Sequence, residues 1–386
     1  MTSNNDAVLV GAVRTHVAKF GGAFADLSAV DLGAAAIGAA LERVGGQLVP
    51  EQIFMGNVVQ AGNGQNPARL AAIRAGLPTT IPGVTFNDVC LASMTATGVA
   101  ASLIRAGELG SALVGGFESM TGAPHAIAMR TAKRVGHVPA VDLLVNDGLW
   151  CSISDSGMGQ ISDRANADLD ISRADQDQFA SESHRRAAQA TEAGRFKHEA
   201  TALTEVLDAD EGIRAGTGTD ALARLRPAFT DDGTITAGNA SQMSDAAAAG
   251  LVVGRGHAAR LGLTPMVAIA GRAVVAGPDV SLHLKPAAAA RVLLDRHGLS
   301  VADIGLWEIN EAFAGVVLAS ARDLHVDLER VNVNGGAIAL GHPLGASGFR
   351  MLLSLACEMR LRDVEFGVAA ICGGGGQGQA MLLRAV

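Results

Sequence analysis

The sequence predicts an α/β fold made of two related halves with a large insertion between them, and three features of the 386 residues carry this prediction. Short apolar segments alternate with alanine-rich helical segments in the first and last thirds, a pattern typical of a mostly parallel sheet covered by helices. The middle is richer in charge and loop residues. Two segments, VTFNDVCLASMTATGVAASLI and VNVNGGAIALGHPLGASGFRMLLSLACEM, share the order strand, turn and helix. We therefore assign residues 1–118 and 244–264 to a first core half, 119–243 to the insertion and 265–386 to a second core half.

The first half is predicted to alternate strands with helices. Strands are expected at residues 7–13, 52–59, 84–89 and 111–115, and helices at 27–44, 68–75 and 93–105. Ser28 is placed to cap the first helix and Gly45 with Gly46 to end it, while a Gly-Leu-Pro sequence ends the second. The strand at 84–89 is expected to run directly into Cys90.

The rest of the chain contains an amphipathic helix at 172–193 and then the second strand–turn–helix unit, whose glycine-rich turn contains His342. Pro343 is placed to start the helix of this unit. Each unit is followed by a strand ending in glycines, ALVGGFES in the first half and GVAAICGGGGQG in the second, and the tail after Gln377 reads as a last strand. Ligand sites in such sheets lie beyond the carboxyl ends of the strands, where Cys90 and His342 both fall.

Composition excludes several classes of protein. Hydrophobic residues make up 49% and charged residues 18%, as in an ordinary globular chain. A net charge of -8 argues against nucleic acid as the main partner. No segment reads as a signal peptide or a membrane span, so a cytoplasmic location without membrane attachment is expected. The four cysteines lack metal-site spacing and are expected as free thiols, with no metal bound.

Cys90 and His342 are the first candidate catalytic residues. A thiol where a strand gives way to a helix feels the positive end of the helix dipole and the free N–H groups of the first turn, which favour the reactive thiolate. The alternative is a small buried hydrophobe. A histidine with an ordinary pKa accepts a thiol proton at neutral pH, and the glycines around His342 let the backbone approach a ligand closely.

Cys372, Asn310 and Glu311 are weaker candidates. Cys372 precedes four glycines, whose N–H groups can form an anion-binding nest, with a plain flexible turn as the alternative. Asn310 and Glu311 form a polar pair between an apolar strand and an apolar helix. Such a pair is costly to bury without partners, so it either caps the helix or positions water or substrate.

Together these motifs resemble the thiolase family over nearly the whole chain. The matching segments, in order, are RTHVAKFGG, GNVVQAGNGQNPAR, VCLASM, GGFESMTGAPH, LRPAFTDDGTITAGNAS, NEAFA, NVNGGAIALGHPLGASG and CGGGGQG. The resemblance implies a thiolase-like five-layered αβαβα fold from two duplicated halves with an inserted loop domain that binds CoA. It also implies reversible acyl transfer between 3-ketoacyl-CoA or acetyl-CoA and CoA.

The resemblance assigns roles residue by residue. Cys90 would carry the acyl group as a thioester, His342 would activate it, and Cys372 would be the second acid and base. Asn310 would hold a water that forms one oxyanion hole with His342. The N–H groups of Cys90 and Gly374 would form the other hole, because a thioester carbonyl becomes an oxyanion during attack.

The resemblance also implies the ligands and the assembly. Ser241 would contact the pantetheine arm of CoA and Arg214 its nucleotide end, although a solvated surface arginine remains an equal alternative for Arg214. CoA is then a substrate, no cofactor is bound permanently, and a homodimer or homotetramer is expected.

Several positions depart from the family pattern without removing a catalytic group. They are Ala92 and Ser93 after the nucleophile, Gly157 in place of a histidine, 161–163 and 244–246 in the loop-domain motifs, and 285–289 in place of Gly-Pro-x-Pro-Ala. They put substrate preference in doubt more than activity. Two alternatives remain: a ketoacyl-synthase-like condensing enzyme, which would have a histidine at the position of Cys372, and an inactive CoA-binding scaffold.

Overall fold

The computed structural model describes residues 4–130, 135–201 and 206–386, so parts of the predicted insertion, 131–134 and 202–205, lie outside the described residues. The elements up to residue 119 are β1 (Ala7–Thr15), β2 (Ala18–Lys19), α1 (Ala29–Arg43), β3 (Gln52–Gly56), α2 (Pro67–Arg74), β4 (Gly83–Phe86), α3 (Ala92–Ala106) and β5 (Ser111–Ser119). Ser28 caps α1 as predicted, with its side chain accepting a hydrogen bond from the N–H of Asp31.

The middle of the chain contains short strands and two longer helices. Its elements are β6 (His125–Ala126), β7 (Val141–Asp142), a π-helical turn (Val145–Leu149), β8 (Trp150–Cys151), β9 (Ser156–Gly157), α4 (Met158–Asp168), α5 (Arg173–Glu192), a 3-10 turn (Arg195–His198), β10 (Ala200–Thr201) and α6 (Thr219–Leu222). Helix α5 confirms the predicted amphipathic helix, and Ser172 caps it.

The last part returns to long strands and helices. Its elements are β11 (Ser244–Gly254), α7 (Arg255–Arg260), β12 (Val267–Ala276), α8 (Lys285–His297), a 3-10 turn (Val301–Asp303), β13 (Leu306–Ile309), α9 (Ala314–Leu324), a 3-10 turn (Leu328–Arg330), α10 (Ala337–Leu340), α11 (Leu344–Arg362), β14 (Phe366–Gly373) and β15 (Gln377–Arg384).

The long strands form one continuous hydrogen-bonded sheet, which divides into two smaller sheets at the pairing of β1 with β12. The first has the order β1-β11-β5-β3-β4 and the second the order β13-β14-β15-β12, and a short antiparallel pairing of β1 with β12 connects them. Helices α1 and α2 cover the outer side of the first sheet, and α8 covers the second. Helices α3 and α11 pack against each other and contact strands of both sheets. The layers therefore alternate helix, sheet, helix, sheet, helix, which confirms the five-layered prediction.

Central placement also explains the apolar character of helix α3. The stretch Val89–Ala106 is long and apolar enough to cross a membrane by length and composition alone. Nine of the helix residues are nevertheless buried between the two sheets, including Met94, Ala100 and Ile104. Burial inside the molecule accounts for this apolar surface.

The prediction of a mostly parallel sheet was wrong, because the sheets are mixed. Strand β3 runs parallel to β4 and β5, and β13 runs parallel to β14. The pairs β1–β11, β11–β5, β12–β15 and β14–β15 are antiparallel. The prediction assumed that a helix crosses between every two neighbouring strands. Three glycines alone connect β14 to β15, and so short a connection can only join antiparallel strands.

Two strand predictions were also wrong: one strand ends earlier than predicted, and the other is absent. Strand β4 ends at Phe86 and does not run into Cys90. The strand predicted at the start of the second unit is absent, since Val331 forms only an isolated bridge with Trp307. There the side chain of Asn332 bonds to both the N–H and the C=O of Ile309, at 2.8 Å each, and so replaces a backbone pairing. The boundaries proposed for the three domains stay a prediction.

Candidate active site

A turn between β4 and α3 positions Cys90. The side chain of Asn87 accepts a hydrogen bond from the N–H of Val89, whose φ of 57° turns the chain away from the strand direction. The hydroxyl of Thr95 donates to Asp88 at 2.5 Å and ties this turn to the first turn of α3. Cys90 therefore lies two residues before the helix begins, and it is half-buried.

His342 lies between α10 and α11 and faces Cys90. Its Nε2 is 3.2 Å from Cys90 Sγ, and its Nδ1 is 2.6 Å from the hydroxyl of Ser347. That hydroxyl donates its single hydrogen to the carbonyl of Pro343 at 2.9 Å. Ser347 must then accept from Nδ1–H, because a hydroxyl has only one hydrogen to donate. The lone pair of Nε2 is left directed at the thiol, which is the tautomer that a base needs.

The Cys90–His342 pair is neutral in the free protein. Burial raises the pKa of the Cys90 thiol to about 12, although the N–H groups of Cys90 and Gly374 act in the opposite direction. Burial, helped by the charge of Arg350, lowers the pKa of His342 to about 3. The expectation that the start of the helix would favour a resting thiolate was wrong, because desolvation outweighs the N–H groups of Cys90 and Gly374. The arrangement can instead transfer the proton to His342 while the sulfur attacks.

Cys372 and Gly374 also lie beside Cys90. Cys372, at the end of β14, is buried against Leu282, Phe313 and other apolar side chains. Burial raises its pKa strongly, and the charge of a Cys90 thiolate would raise it further, so the two sulfurs are electrostatic neighbours. The N–H of Gly374 lies close enough to Cys90 Sγ to lower the pKa of this thiol, which places the amide beside the reactive atom. The structure thus brings Cys90, His342, Cys372 and Gly374 together.

Asn310 completes the inner part of this site. It follows β13, and its Nδ2 is 3.4 Å from His342 Nε2. Its Oδ1 is buried and has no hydrogen-bond partner among the described residues. Buried amide oxygens are seldom left unpaired, so this atom can take a donor from a water or a substrate. Asn310 does not cap α9, since that helix begins at Ala314 after Phe313.

A cavity of about 700 Å³ leads to His342, and both residues predicted to bind CoA line it. Ser241 and Arg214 lie on its wall, and the apolar lining includes Leu149, Met158 and Phe229. A channel with an apolar wall and few polar groups is typical of a site for a small organic ligand. Gly157, which replaces a histidine of the family pattern, also lines this cavity.

Sequence reasoning missed two residues that build the site. Ser347 fixes the tautomer of His342, as described above. Glu118, fully buried at the end of β5, accepts hydrogen bonds from the N–H groups of Val58, Val59 and Gly345 and from the side chain of Asn57, at 2.8–3.1 Å. It joins the loop after β3 to the first turn of α11. A glutamate among apolar residues in GGFES was the available signal.

Comparisons with known proteins agree with this geometry. Residues 7–256 match the family model for the thiolase N-terminal domain, and residues 263–385 match that for the thiolase C-terminal domain. The chain belongs to the thiolase family. A probable acetyl-CoA acetyltransferase of Mycobacterium tuberculosis is 46% identical over 98% of this thiolase and 99% of its own length. A probable acetyl-CoA acetyltransferase of Mycobacterium leprae is 45% identical, and the acetyl-CoA acetyltransferase of Escherichia coli is 43% identical. Both matches cover 98% of this chain and 99% of the relative.

Membership of this family makes the protein an acyltransferase of the thiolase type. The two alternatives, a ketoacyl-synthase-like enzyme and an inactive scaffold, gain no support from these matches. A cysteine at position 372 also departs from the histidine expected in a ketoacyl synthase.

Proposed function

We propose that this thiolase is an acetyl-CoA C-acetyltransferase, which condenses two acetyl-CoA molecules to acetoacetyl-CoA and CoA and also catalyses the reverse thiolysis. The observation that carries the proposal is the 3.2 Å contact between His342 Nε2 and Cys90 Sγ beside Cys372. The names of the relatives support acetyl-CoA as the acyl donor. The direction depends on the concentrations of substrates, because the same groups serve both directions.

In the first half-reaction, Cys90 Sγ attacks the thioester carbonyl of acetyl-CoA while His342 Nε2 takes the thiol proton. The C–S bond to CoA then breaks, and His342 returns the proton to the leaving thiolate. The neutral state of both groups suits this step, since the lone pair and the proton are already in place. An acetyl thioester on Cys90 results.

In the second half-reaction, the thiolate form of Cys372 takes a proton from the methyl group of a second acetyl-CoA, and the resulting carbanion attacks the acetyl group on Cys90. The new C–C bond forms as the C–S bond to Cys90 breaks, giving acetoacetyl-CoA. Cys372 then passes the proton to the released Cys90 thiolate, which returns both sulfurs to their starting states. A buried thiol of high pKa gives a strongly basic thiolate, which suits the weakly acidic carbon.

Two sets of donors would stabilise the oxyanions of these steps. The N–H groups of Cys90 and Gly374 lie next to the Cys90 sulfur, from where they would donate to the carbonyl oxygen of its thioester. Asn310, through the water that its unpaired Oδ1 can hold, and His342 would face the enolate of the second acetyl-CoA. Removing one such donor typically costs about 2.7–4 kcal/mol of transition-state stabilisation.

CoA would occupy the cavity as a substrate, and no permanently bound cofactor is required by this scheme. Ser241 would contact the pantetheine arm deep in the cavity. Arg214 would face a phosphate of the nucleotide at the exposed end, where the guanidinium has no carboxylate partner among the described residues.

The test is thiolysis of a chain-length series of 3-ketoacyl-CoA substrates by CoA, followed by the loss of the enolate absorbance. We expect the highest kcat/KM with acetoacetyl-CoA. A maximum of kcat/KM at a longer acyl chain would contradict the proposed preference for acetyl groups. It would instead support a degradative 3-ketoacyl-CoA thiolase. Absence of turnover with every substrate would contradict the enzyme assignment.

A further inference from the structure

Gln242 lies between the cavity wall and the loop that carries His342, and both polar atoms of its side chain form hydrogen bonds. Its Nε2 donates toward the carbonyls of Gly212, Ile338 and Ala339, at 2.9–3.2 Å. Its backbone carbonyl accepts from the N–H of His342 at 2.9 Å. The remaining side-chain atom, Oε1, accepts from Arg214 Nη2 at 3.2 Å.

These contacts fix the direction of the Gln242 amide. An amide NH₂ has two hydrogens and no acceptor, so it must face the three carbonyls, and a flipped amide would bring Oε1 against them. Oε1 is therefore held toward Arg214. The carbonyls belong to the 212 turn and to α10, so Gln242 also joins the Arg214 segment to the helix that precedes His342.

The backbone of the Arg214 segment is held independently of its side chain. The N–H of Arg214 donates to His184 Nδ1 at 3.2 Å, and His184 is buried on α5. Burial lowers the pKa of His184 to about 4, which keeps its Nδ1 an acceptor at neutral pH. Gly212 lies so close to α10 that a Cβ there would be 2.6 Å from the carbonyl of Ala339. The backbone from which the Arg214 side chain extends is therefore fixed in position.

The Arg214 guanidinium is exposed, and its hydrogen bond to Gln242 is its one side-chain bond within the described residues. A neutral amide restrains an arginine without cancelling its charge, whereas a carboxylate partner would compete with an anionic ligand. Restraining a long side chain in its binding position lowers the entropy cost of binding. The charge therefore stays available at the open end of the cavity.

We propose that Gln242 is a positioning residue that holds Arg214 ready for a phosphate of CoA, and that this pair makes the enzyme select CoA thioesters over thioesters of pantetheine alone. The inference rests on the proposed function, in which CoA occupies this cavity. Gln242 acts through Arg214 and touches no reacting atom.

The test compares two substrate pairs in the intact enzyme: acetoacetyl-CoA with CoA, and acetoacetyl-pantetheine with pantetheine. Kinetics are measured for the wild type, Gln242→Ala, Arg214→Ala, the double variant and the matched control Gln178→Ala, whose side chain is exposed on α5 outside this cavity. Gln242→Ala should raise KM for the CoA pair about tenfold, as expected for loss of a hydrogen bond to a charged group. KM for the pantetheine pair should change less than about twofold, and the double variant should match Arg214→Ala.

An equal loss with both substrate pairs would overturn the proposal, because it would place the effect on the His342 loop. Losses that add in the double variant would overturn it as well, since the two residues would then act separately. Failure of the proposed function looks different, because the wild type would then turn over neither substrate pair.

Discussion

At the scale of single residues, the Cys90 thiol and the His342 imidazole are both neutral before substrate binds and do not form an ion pair. Burial moves the pKa of Cys90 up to about 12 and that of His342 down to about 3, so the proton stays on sulfur until a carbonyl is attacked. Ser347 fixes which nitrogen of His342 is free to receive it. Such a pair avoids the cost of burying two charges.

Cys372→Ala separates the two half-reactions. Acetyl transfer from acetyl-CoA to Cys90 should continue, because His342 and the N–H donors remain. Condensation should fall by about 10²–10⁴-fold, the usual contribution of a positioned acid or base. Rapid-quench measurement of the acetyl-enzyme and steady-state acetoacetyl-CoA formation check the two steps. Cys357→Ala, which alters a buried thiol on α11, serves as the control, and an unchanged condensation rate in Cys372→Ala would refute the role.

At the scale of elements, the catalytic groups come from loops that buried polar side chains hold together. Glu118 fixes the loop after β3 to the start of α11, where its donor Gly345 lies three residues after His342. Glu311 likewise joins separate segments of the chain. It accepts hydrogen bonds from Ser183, from Asn332 and from the N–H of Ile338, at 2.7–3.0 Å. These carboxylates replace the regular hydrogen bonding that irregular loops lack.

Glu118→Ala should lower the free energy of unfolding by more than about 2 kcal/mol, because four buried donors would lose their acceptor. It should also lower kcat, since the turn that presents His342 loses its anchor. Chemical denaturation and steady-state kinetics measure both effects. The exposed Glu108→Ala, at the end of α3, is the matched control. A stability equal to that of the control would show that the loops do not depend on this carboxylate.

The sequence predicts the long elements well, and it points to residues that the structure brings together, because both depend on local signals. Capping by Ser28 and the apolar period locate α1, and glycine-flanked motifs locate Cys90, His342 and Cys372. The sequence predicts secondary structure less well where a side chain takes the place of a backbone partner. Asn332 does so at 331–334, where a strand was predicted. The pKa of Cys90 could not be predicted either, because it depends on burial by residues distant in the chain.

At the scale of the whole molecule, the two halves meet at α3 and α11, and each half contributes one of the facing catalytic groups. Cys90 precedes α3 and His342 precedes α11, so packing of these two helices sets the distance between sulfur and imidazole. The cytoplasmic location, the absence of membrane attachment and the homodimer or homotetramer stay predictions.

Three buried histidines should oppose folding from about pH 6.5 downward, whereas the pKa of Glu118, raised to about 7, and that of Glu308, raised to about 8, act in the opposite direction. Burial lowers the pKa of His283 and His184 to about 4 and that of His342 to about 3, whereas the unfolded chain binds these protons near pH 6.5. At these histidines the unfolded state binds more protons, so their contribution to stability falls as pH falls. At pH 5.5, His283 alone should contribute about 1.4 kcal/mol of this loss.

Denaturant titrations between pH 7.5 and 5.5 test this expectation. His283→Gln keeps a donor for Asn166 Oδ1, which His283 Nε2 contacts at 2.8 Å, and removes the titrating group. Its stability relative to that of the wild type should therefore rise by about 1.4 kcal/mol between pH 7.5 and 5.5. Equal slopes for the two proteins would exclude His283 as a source of the acid sensitivity.

The most direct test of the account is to identify the residue that carries the acetyl group. The enzyme is incubated with acetyl-CoA, quenched in acid and mapped by peptide mass spectrometry, with Cys90→Ala and Cys357→Ala treated in parallel. The account predicts one acetyl thioester, on Cys90, in the wild type and Cys357→Ala, and none in Cys90→Ala. An acetyl adduct that persists in Cys90→Ala, or that maps to another residue in the wild type, would contradict it.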